Sequence, residues 1–138
     1  MQLIDGKLVA KTIREDLKQK IAEAYDKYGK KFTLTVIIAG EDPASQIYVR
    51  GKSKACEEAG IISETVVLPE TISQVEIENI VKEKVADDNI DGVLVQLPLP
   101  RHIDEENVLK LIPPEKDVDG FSESNIGRLA LFSDNGLY

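Results

Sequence analysis

The feature that most constrains the fold is a long apolar run from Asp91 to Pro100, with the sequence D-G-V-L-V-Q-L-P-L-P. A strand that is covered on both faces loses the polar alternation of a half-exposed strand, so this run is typical of a buried parallel strand. The Asp-Gly turn opens the run and prolines close it. Gln96 interrupts the apolar residues near the end. Because open α/β sheets bind ligands at the carboxyl ends of their strands, we interpret Gln96 as a site residue at the end of a central strand.

Two other strands and several helices are predicted around this run. Strands are expected over 32–39 and 61–68, and the second lies nearer an edge because its apolar and polar residues alternate more. Strands that alternate with helices predict a mostly parallel sheet with helices on both faces, which is a three-layer α/β/α fold. The longest helix should bury a stripe that includes Val9, Ile13 and Leu17. Capping residues and helical periodicity predict helices over 8–28, from 44 or 45 to 59, from 74 to about 87, briefly after Asp104, and over 122–131.

Composition excludes several classes of function. The 138 residues carry a formal net charge of −8 and no basic block, which disfavours nucleic-acid binding. One cysteine, Cys56, and one histidine, His102, leave no internal disulfide and no Cys/His metal cluster, and we interpret both as structural. No apolar run approaches the roughly 20 residues that cross a bilayer, and no signal segment is recognisable. We therefore predict a cytoplasmic domain with a small-molecule partner, and neither nucleic acid nor membrane as a partner.

Ser45, Tyr48 and Lys52 lie at i, i+3 and i+7 of the predicted second helix, so they share one face. This helix begins just beyond the carboxyl end of the first strand, where its first turns can face the same crevice as Gln96. The simpler interpretation is a partly buried tyrosine beside a lysine whose stem covers apolar surface. The spacing alone favours that simpler interpretation, whereas the position in the fold favours a site.

A lysine that exchanges a proton near neutral pH needs a lowered pKa, and burial among apolar groups lowers it by penalising the ammonium. Gln96 suits such a lysine because an amide can bond the amine without adding a negative charge. An amide that is buried and satisfied, with no role in a site, is an equally simple interpretation of Gln96.

Two motifs suggest phosphate or metal binding. Gly51-Lys52-Ser53 resembles part of a phosphate-binding loop, but that motif needs a glycine where Gln46 stands and a lysine at the start of its helix. Asp117-Val118-Asp119 could hold a divalent metal, yet two carboxylates rarely do so without substrate phosphates, so we expect no metal. The alternative is that one aspartate accepts paired N–H donors from a heterocycle such as an aminopyrimidine edge, while Gly120 allows a tight turn.

Three motifs together closely resemble those of the bifunctional methylenetetrahydrofolate dehydrogenase/methenyltetrahydrofolate cyclohydrolase family. They are Y-V-R-G-K at 48–52, V-Q-L-P-L-P at 95–100 and K-D-V-D-G-F at 116–121. The second and third motifs are highly specific as a pair, and the resemblance covers essentially the whole chain.

This resemblance implies a folate site with defined roles. Lys52 would be the catalytic lysine, Gln96 would orient it, Tyr48 would stack on the folate ring system and Asp119 would bind the pterin. Ser45 would be a nearby polar group. The remaining residues that the resemblance places around the substrate are Val49, Arg50, Gly51, Val95 and Leu97.

The implied reactions are the NADP-dependent oxidation of 5,10-methylenetetrahydrofolate and the hydrolysis of the resulting methenyl cation to 10-formyltetrahydrofolate. These reactions would serve one-carbon metabolism for purine, methionine and histidine biosynthesis. Family members continue into a Rossmann-type domain that binds NADP. We therefore expect residues 1–138 to be the folate-binding domain alone, largely inactive as a dehydrogenase, with a homodimer formed by the full-length protein. The alternatives are a non-catalytic folate-binding module and a metal-dependent transferase that uses Asp117 and Asp119.

Overall fold

The structure is a computed structural model that describes residues 5–40 and 42–131. The strands are β1 (Thr33–Ala39), β2 (Ile62–Leu68) and β3 (Gly92–Val95). The helices are α1 (Gly6–Tyr28), α2 (Pro43–Ala59), α3 (Gln74–Ala86), α4 (Glu105–Leu109) and α5 (Glu123–Leu131).

The three described strands form one parallel sheet in the order β2-β1-β3. The edge position of β2 is confirmed, but β1 is the central strand, so the prediction that the 91–100 run forms the centre was wrong. That run also leaves the sheet early, because β3 ends at Val95. The Gln96 N–H still donates to the Ile37 carbonyl at 2.8 Å, and the Leu97–Pro98 peptide that follows is cis. Gln96 therefore stands directly at the carboxyl end of β3.

Alternate residues of β1 pack against helices on opposite faces of the sheet. Val36 packs with Val49 of α2 on one face. Ile37 packs with Ile77 of α3 and with Val93 on the other face. Because both faces of the sheet are covered by helices, the predicted α/β/α layering is confirmed.

α1 packs less closely than its sequence predicts. Asp5 caps its start, and Gly29 ends it in the left-handed conformation with φ 65°. Its main contacts are with α2. Val9, Ile13 and Leu17 consequently stay 50%, 54% and 41% exposed, whereas Ile21 and Ala24 further along the same stripe are half-buried. The expectation that this stripe is buried was therefore wrong for its first three residues. None of the described helices is both long enough and apolar enough to cross a membrane.

A polar network that is centred on the carboxylate of Glu64 joins the sheet to α3. The fully buried Thr35 donates its hydroxyl to Glu64 Oε2 at 2.9 Å, and Lys84 Nζ donates to Glu64 Oε1 at 2.6 Å. The hydrogen bonds from Lys84 and Thr35 hold the pKa of Glu64 below its ordinary value, and Glu64 in turn raises the pKa of Lys84. The carboxylate thus links β1, β2 and α3.

We expect Glu64→Gln to reduce the free energy of unfolding near neutral pH by about 0.5 to 1 kcal/mol, because the pair is partly exposed and screened. The folded pKa of Glu64 lies below the unfolded value of about 4.3, so its contribution is present above that value. The contribution is lost as the pH falls through the folded pKa, where the variant and the parent should converge. Urea unfolding at neutral and acid pH measures this difference. Glu70→Gln, in the exposed loop after β2, is the control, and a Glu64→Gln deficit that persisted in acid would contradict the assignment.

Candidate functional site

The helix that carries the predicted site begins just past the carboxyl end of β1. Gly40 turns the chain with φ 86°, and Asp42 caps α2 by accepting the Ser45 N–H at 2.7 Å. Hydrogen bonds from Ser45 lower the pKa of the Asp42 carboxyl. Ser45 itself is buried within this cap. Ser45 therefore fixes the start of the helix on which Tyr48 and Lys52 stand.

The side chains of Lys52 and Gln96 meet in the structure. Lys52 Nζ donates to Gln96 Oε1 at 3.1 Å, and both residues are half-buried. Gln96 Nε2 donates to the Leu97 carbonyl at 2.8 Å. Because an ammonium can only donate, these bonds fix the amide with its oxygen toward the lysine. An early turn of α2 and the end of β3 thus converge on one place.

Asp119 lies close enough to interact electrostatically with this pair. The pKa of the Asp119 carboxyl lies above its ordinary value, mainly because the group is partly desolvated. The negative charge of Asp117 also raises this pKa, whereas the positive charge of Lys52 lowers it. The residue remains exposed at the surface. A carboxylate that is partly desolvated, exposed and near a lysine is well suited to accept N–H donors from a ligand.

The side chains of the Y-V-R-G-K segment, residues 48–52, lie on different sides of α2. Tyr48 is 67% exposed and lies one turn before Lys52, so its ring is open to a planar partner. Val49 instead belongs to the core beside β1, and Gly51 is exposed. Arg50 lines a cavity of about 940 Å³ between α2 and β2, which Lys52 does not line. The structure thus brings Tyr48 and Lys52 together and separates Val49 and Arg50 from them.

The two residues on either side of Gln96 pack their side chains into the core. Val95 is 2% exposed within the core, and Leu97 packs partly against the same core. The loop that follows is held by Glu105, whose carboxylate accepts the Leu99 N–H at 2.7 Å. Gln96 is consequently the side chain of this stretch that reaches Lys52.

The two residues interpreted as structural lie apart from these bonds. Cys56 is buried on α2, where desolvation raises the pKa of its thiol and favours the protonated form. His102 is exposed, and its Nε2 lies 2.7 Å from the Ile72 carbonyl, which joins the loop after β3 to the turn before α3.

Asp117 has a different role from the one that a D-x-D metal site would give it. Its carboxylate accepts the N–H groups of Gly120 at 2.9 Å and Ser122 at 2.7 Å. It also accepts the Phe121 N–H at 3.3 Å and the side-chain amide of Asn125 at 3.1 Å. Within residues 5–40 and 42–131, no group of three or more His, Cys, Asp or Glu side chains is arranged to hold a metal ion. This structural role of Asp117 was not predicted from the sequence, although aspartate side chains commonly accept backbone N–H groups in turns.

The strand-to-helix turns that the structure describes do not fit the pyrophosphate of a dinucleotide. Such a group needs free N–H donors at a helix start. The start of α2 is bonded to the Asp42 carboxylate, and the start of α3 is closed by Ser73 and Glu76, which bond each other's backbone N–H groups. Carboxylates at these positions would repel phosphate. The starts of α2 and α3 therefore leave no free N–H donors for a pyrophosphate.

Comparisons with known proteins agree with this arrangement. The family model described as tetrahydrofolate dehydrogenase/cyclohydrolase, catalytic domain, matches residues 4–119. The bifunctional protein FolD of Maridesulfovibrio salexigens is 50% identical over 131 residues, which are 95% of this chain and 46% of that protein. The FolD protein of Exiguobacterium sp. is 48% identical over 135 residues, which are 98% of this chain and 48% of that protein. The chain therefore spans about half the length of the curated relatives it matches.

Solved structures show the same correspondence in three dimensions. The FolD methylenetetrahydrofolate dehydrogenase/cyclohydrolase of Campylobacter jejuni superposes with a TM-score of 0.91 at 46% identity, covering 95% of this chain and 46% of that one. The Trypanosoma brucei enzyme, solved with NADP cofactor and an inhibitor, gives a TM-score of 0.90 at 37% identity over 97% of this chain and 46% of its own. From its matched residues and its fold, the chain belongs to the tetrahydrofolate dehydrogenase/cyclohydrolase family, through the catalytic domain of that family.

Proposed function

We propose that this chain is the folate-binding half of a bifunctional 5,10-methylenetetrahydrofolate dehydrogenase and 5,10-methenyltetrahydrofolate cyclohydrolase. The observation that carries the proposal is the 3.1 Å bond between Lys52 Nζ and Gln96 Oε1, with Asp119 in electrostatic range of the same lysine. The family supports folate one-carbon metabolism as the setting. Purine, methionine and histidine biosynthesis are the processes that this activity would supply, in the cytoplasm.

In this proposal folate is bound by the side chains of Tyr48 and Asp119 and by the backbone beside Gln96. The exposed ring of Tyr48 stacks on the folate ring system, with the aromatic faces offset. Asp119 accepts the paired N–H donors at the edge of the pterin. The backbone around Val95 and Leu97 lines the pocket beside them. The negative charge of Asp119, together with the chain's net charge of −8, favours a cationic ligand such as the methenyl form of the substrate.

Lys52 acts on the proton in the hydrolytic step. Water adds to the methenyl carbon and loses one proton. The bond from that carbon to N5 then breaks as the remaining hydroxyl proton is lost and N5 gains a proton, which leaves the formyl group on N10. The neutral amine of Lys52 accepts the proton as the water attacks. Gln96 keeps the amine in place through a neutral acceptor, so the lysine can change its protonation without breaking an ion pair.

The oxidation step requires a hydride acceptor held against the folate carbon. In the proposal NADP is that acceptor, which gains a hydride while the methylene carbon becomes the methenyl cation. Residues 1–138 form the folate domain in this proposal. The nicotinamide is bound by a second domain, for which the greater length of the relatives allows. The full-length protein is a homodimer in this proposal, and its chemistry requires no metal.

The direct test is to add the purified chain to 5,10-methenyltetrahydrofolate and follow the absorbance of the cation as it hydrolyses. We expect saturable binding and hydrolysis faster than in buffer alone, with little oxidation of 5,10-methylenetetrahydrofolate when NADP is supplied. Heat-denatured chain is the control. Binding without faster hydrolysis would favour a non-catalytic folate-binding module. Steady NADP reduction by these residues alone would refute the division into two domains.

A further inference from the structure

Asp119 stands in a segment, residues 116–120, that belongs to no described helix or strand but is attached to several of them. Its side chain reaches the site only if the backbone of this segment is held in place. A loop position without such attachments would sample many conformations, and ordering it on ligand binding would reduce affinity. The attachments of residues 116–120 therefore bear directly on the site.

The first attachment is the carboxylate of Asp117. One oxygen accepts the N–H groups of Gly120 and Phe121, and the other accepts the Ser122 N–H and the amide of Asn125. Asp119 lies between Asp117 and Gly120, so these bonds close a tight turn around it. Gly120 adopts φ 69°, which a glycine takes without strain. Burial raises the pKa of the Asp117 carboxyl, but the bonds from Ser122, Asn125 and Phe121 outweigh burial and leave the pKa low, so Asp117 stays ionised.

The second attachment is the side chain of Lys116. Its Nζ donates to the carbonyls of Val85 at 2.8 Å and Asp87 at 2.7 Å, at the end of α3. A cation there satisfies carbonyls that have no partner in the helix and suits the negative end of the helix dipole. Lys116 is also bound through its backbone, because its carbonyl accepts the Val93 N–H at 2.8 Å.

The third attachment is the contact between Val118 and β3. Val93 and Asp117 form a parallel bridge, so the segment runs beside the strand. A Cβ built on Gly92 would lie 2.5 Å from Val118 Cγ1. The absence of a side chain at Gly92 thus allows Val118 to lie directly against the strand, one residue before Asp119.

We propose that Asp117 is a positioning residue for the folate site, and that its carboxylate, together with Lys116 on α3, holds Asp119 in place beside Lys52. This inference rests on the proposed function for the identity of the ligand, but not for the geometry. In the motif K-D-V-D-G, only the second aspartate then touches the ligand. Lys116 and Asp117 act through it.

The test compares Asp117→Asn with the unmodified chain. An asparagine keeps the shape but places an NH₂ group against N–H donors, so at least one side of the turn loses its acceptor. We expect the Kd for 5-formyltetrahydrofolate to rise about tenfold, which corresponds to about 1.4 kcal/mol. The carboxyl resonance of Asp119, followed in carbon-labelled chain, is compared only in the Lys116 variants, because the charge of Asp117 itself raises the pKa of Asp119. Asp26→Asn, at an exposed position of α1, makes the same change outside the segment and outside the loop that Lys116 binds.

A second variant covers the case in which Asp117→Asn does not fold. Lys116→Met keeps the length of the stem and removes both bonds to α3, and Lys82→Met removes an exposed lysine of α3 as its control. We expect Lys116→Met to weaken folate binding and to shift the Asp119 titration, and Lys116→Arg to restore part of both. All measurements are made below the onset of unfolding seen by circular dichroism, so that a loss of stability alone leaves both readouts unchanged.

The outcomes separate the two proposals. If the unmodified chain binds no folate, the proposed function fails, and the titration of Asp119 in Lys116→Met still decides whether the attachments of the segment position it. If the chain binds folate but folded Asp117→Asn keeps its affinity, or folded Lys116→Met keeps both its affinity and the Asp119 titration, the positioning role is overturned.

Discussion

Lys52→Met is expected to slow the hydrolysis of 5,10-methenyltetrahydrofolate by about 10² to 10⁴-fold, the range by which a positioned acid or base accelerates proton transfer. Methionine keeps the length of the side chain and its apolar stem, so the packing of α2 should change little. Affinity for folate should change by no more than about threefold, because in the proposed site the ring is held by Tyr48 and Asp119. The rate and the Kd are to be measured in this chain and in a protein extended to the length of its relatives.

Lys54→Met is the matched control for this prediction. Lys54 lies two residues further along the same helix and lines the cavity between α2 and β2, so the same substitution there removes an equal charge from a different surface. Hydrolysis should be unaffected in that variant. If Lys52→Met kept full activity, or if Lys54→Met lost as much, the chemistry would not depend on the bond between Lys52 and Gln96.

The meeting of Lys52 and Gln96 could be predicted from the sequence because each half of the arrangement is a local signal. The i,i+4 spacing of Tyr48 and Lys52 fixes a common helical face. The polar residue before the prolines marks the end of an apolar strand, and parallel strands place their carboxyl ends at one edge of the sheet. Two local patterns and one general property of α/β folds were therefore sufficient.

The order of the strands could not be predicted in the same way. A strand covered on both faces has the same apolar pattern whether it lies at the centre of a sheet or beside it. The 91–100 run is covered because helices pack on the faces of the sheet and residues 116–118 run along its outer edge, which bonds to Val93. That edge is closed by a segment far along the chain, which no local pattern reveals.

The roles of Lys116 and Asp117 were missed for a related reason. Lys116 bonds to carbonyls 31 and 29 residues earlier in the chain, so its partner helix is visible only in the folded state. Asp117 bonds within the next eight residues, and that part was open to prediction. The competing D-x-D interpretation treated the two carboxylates as a pair, whereas in the structure Asp117 bonds backbone N–H groups and Asp119 stays exposed within electrostatic range of Lys52.

Gln96→Glu is expected to lower the rate of hydrolysis at neutral pH by at least about a hundredfold, although the substitution adds no bulk. A carboxylate 3.1 Å from the lysine would favour the ammonium form and remove the free amine that accepts the proton. Raising the pH should recover part of the lost rate, so the pH–rate profile should move to higher pH, which a loss of folding would not produce.

Gln46→Glu is the matched control. Gln46 lies on α2, as Lys52 does, but it lines the cavity beside β2, so this substitution should leave the pH–rate profile unchanged. Gln96→Met tests the opposite change, because it removes the acceptor without adding charge. It should lower the rate through loss of orientation while the pH dependence stays in place. A Gln96→Glu profile that did not move would mean that the neutrality of residue 96 has no part in the chemistry, and that its amide only closes the end of the strand.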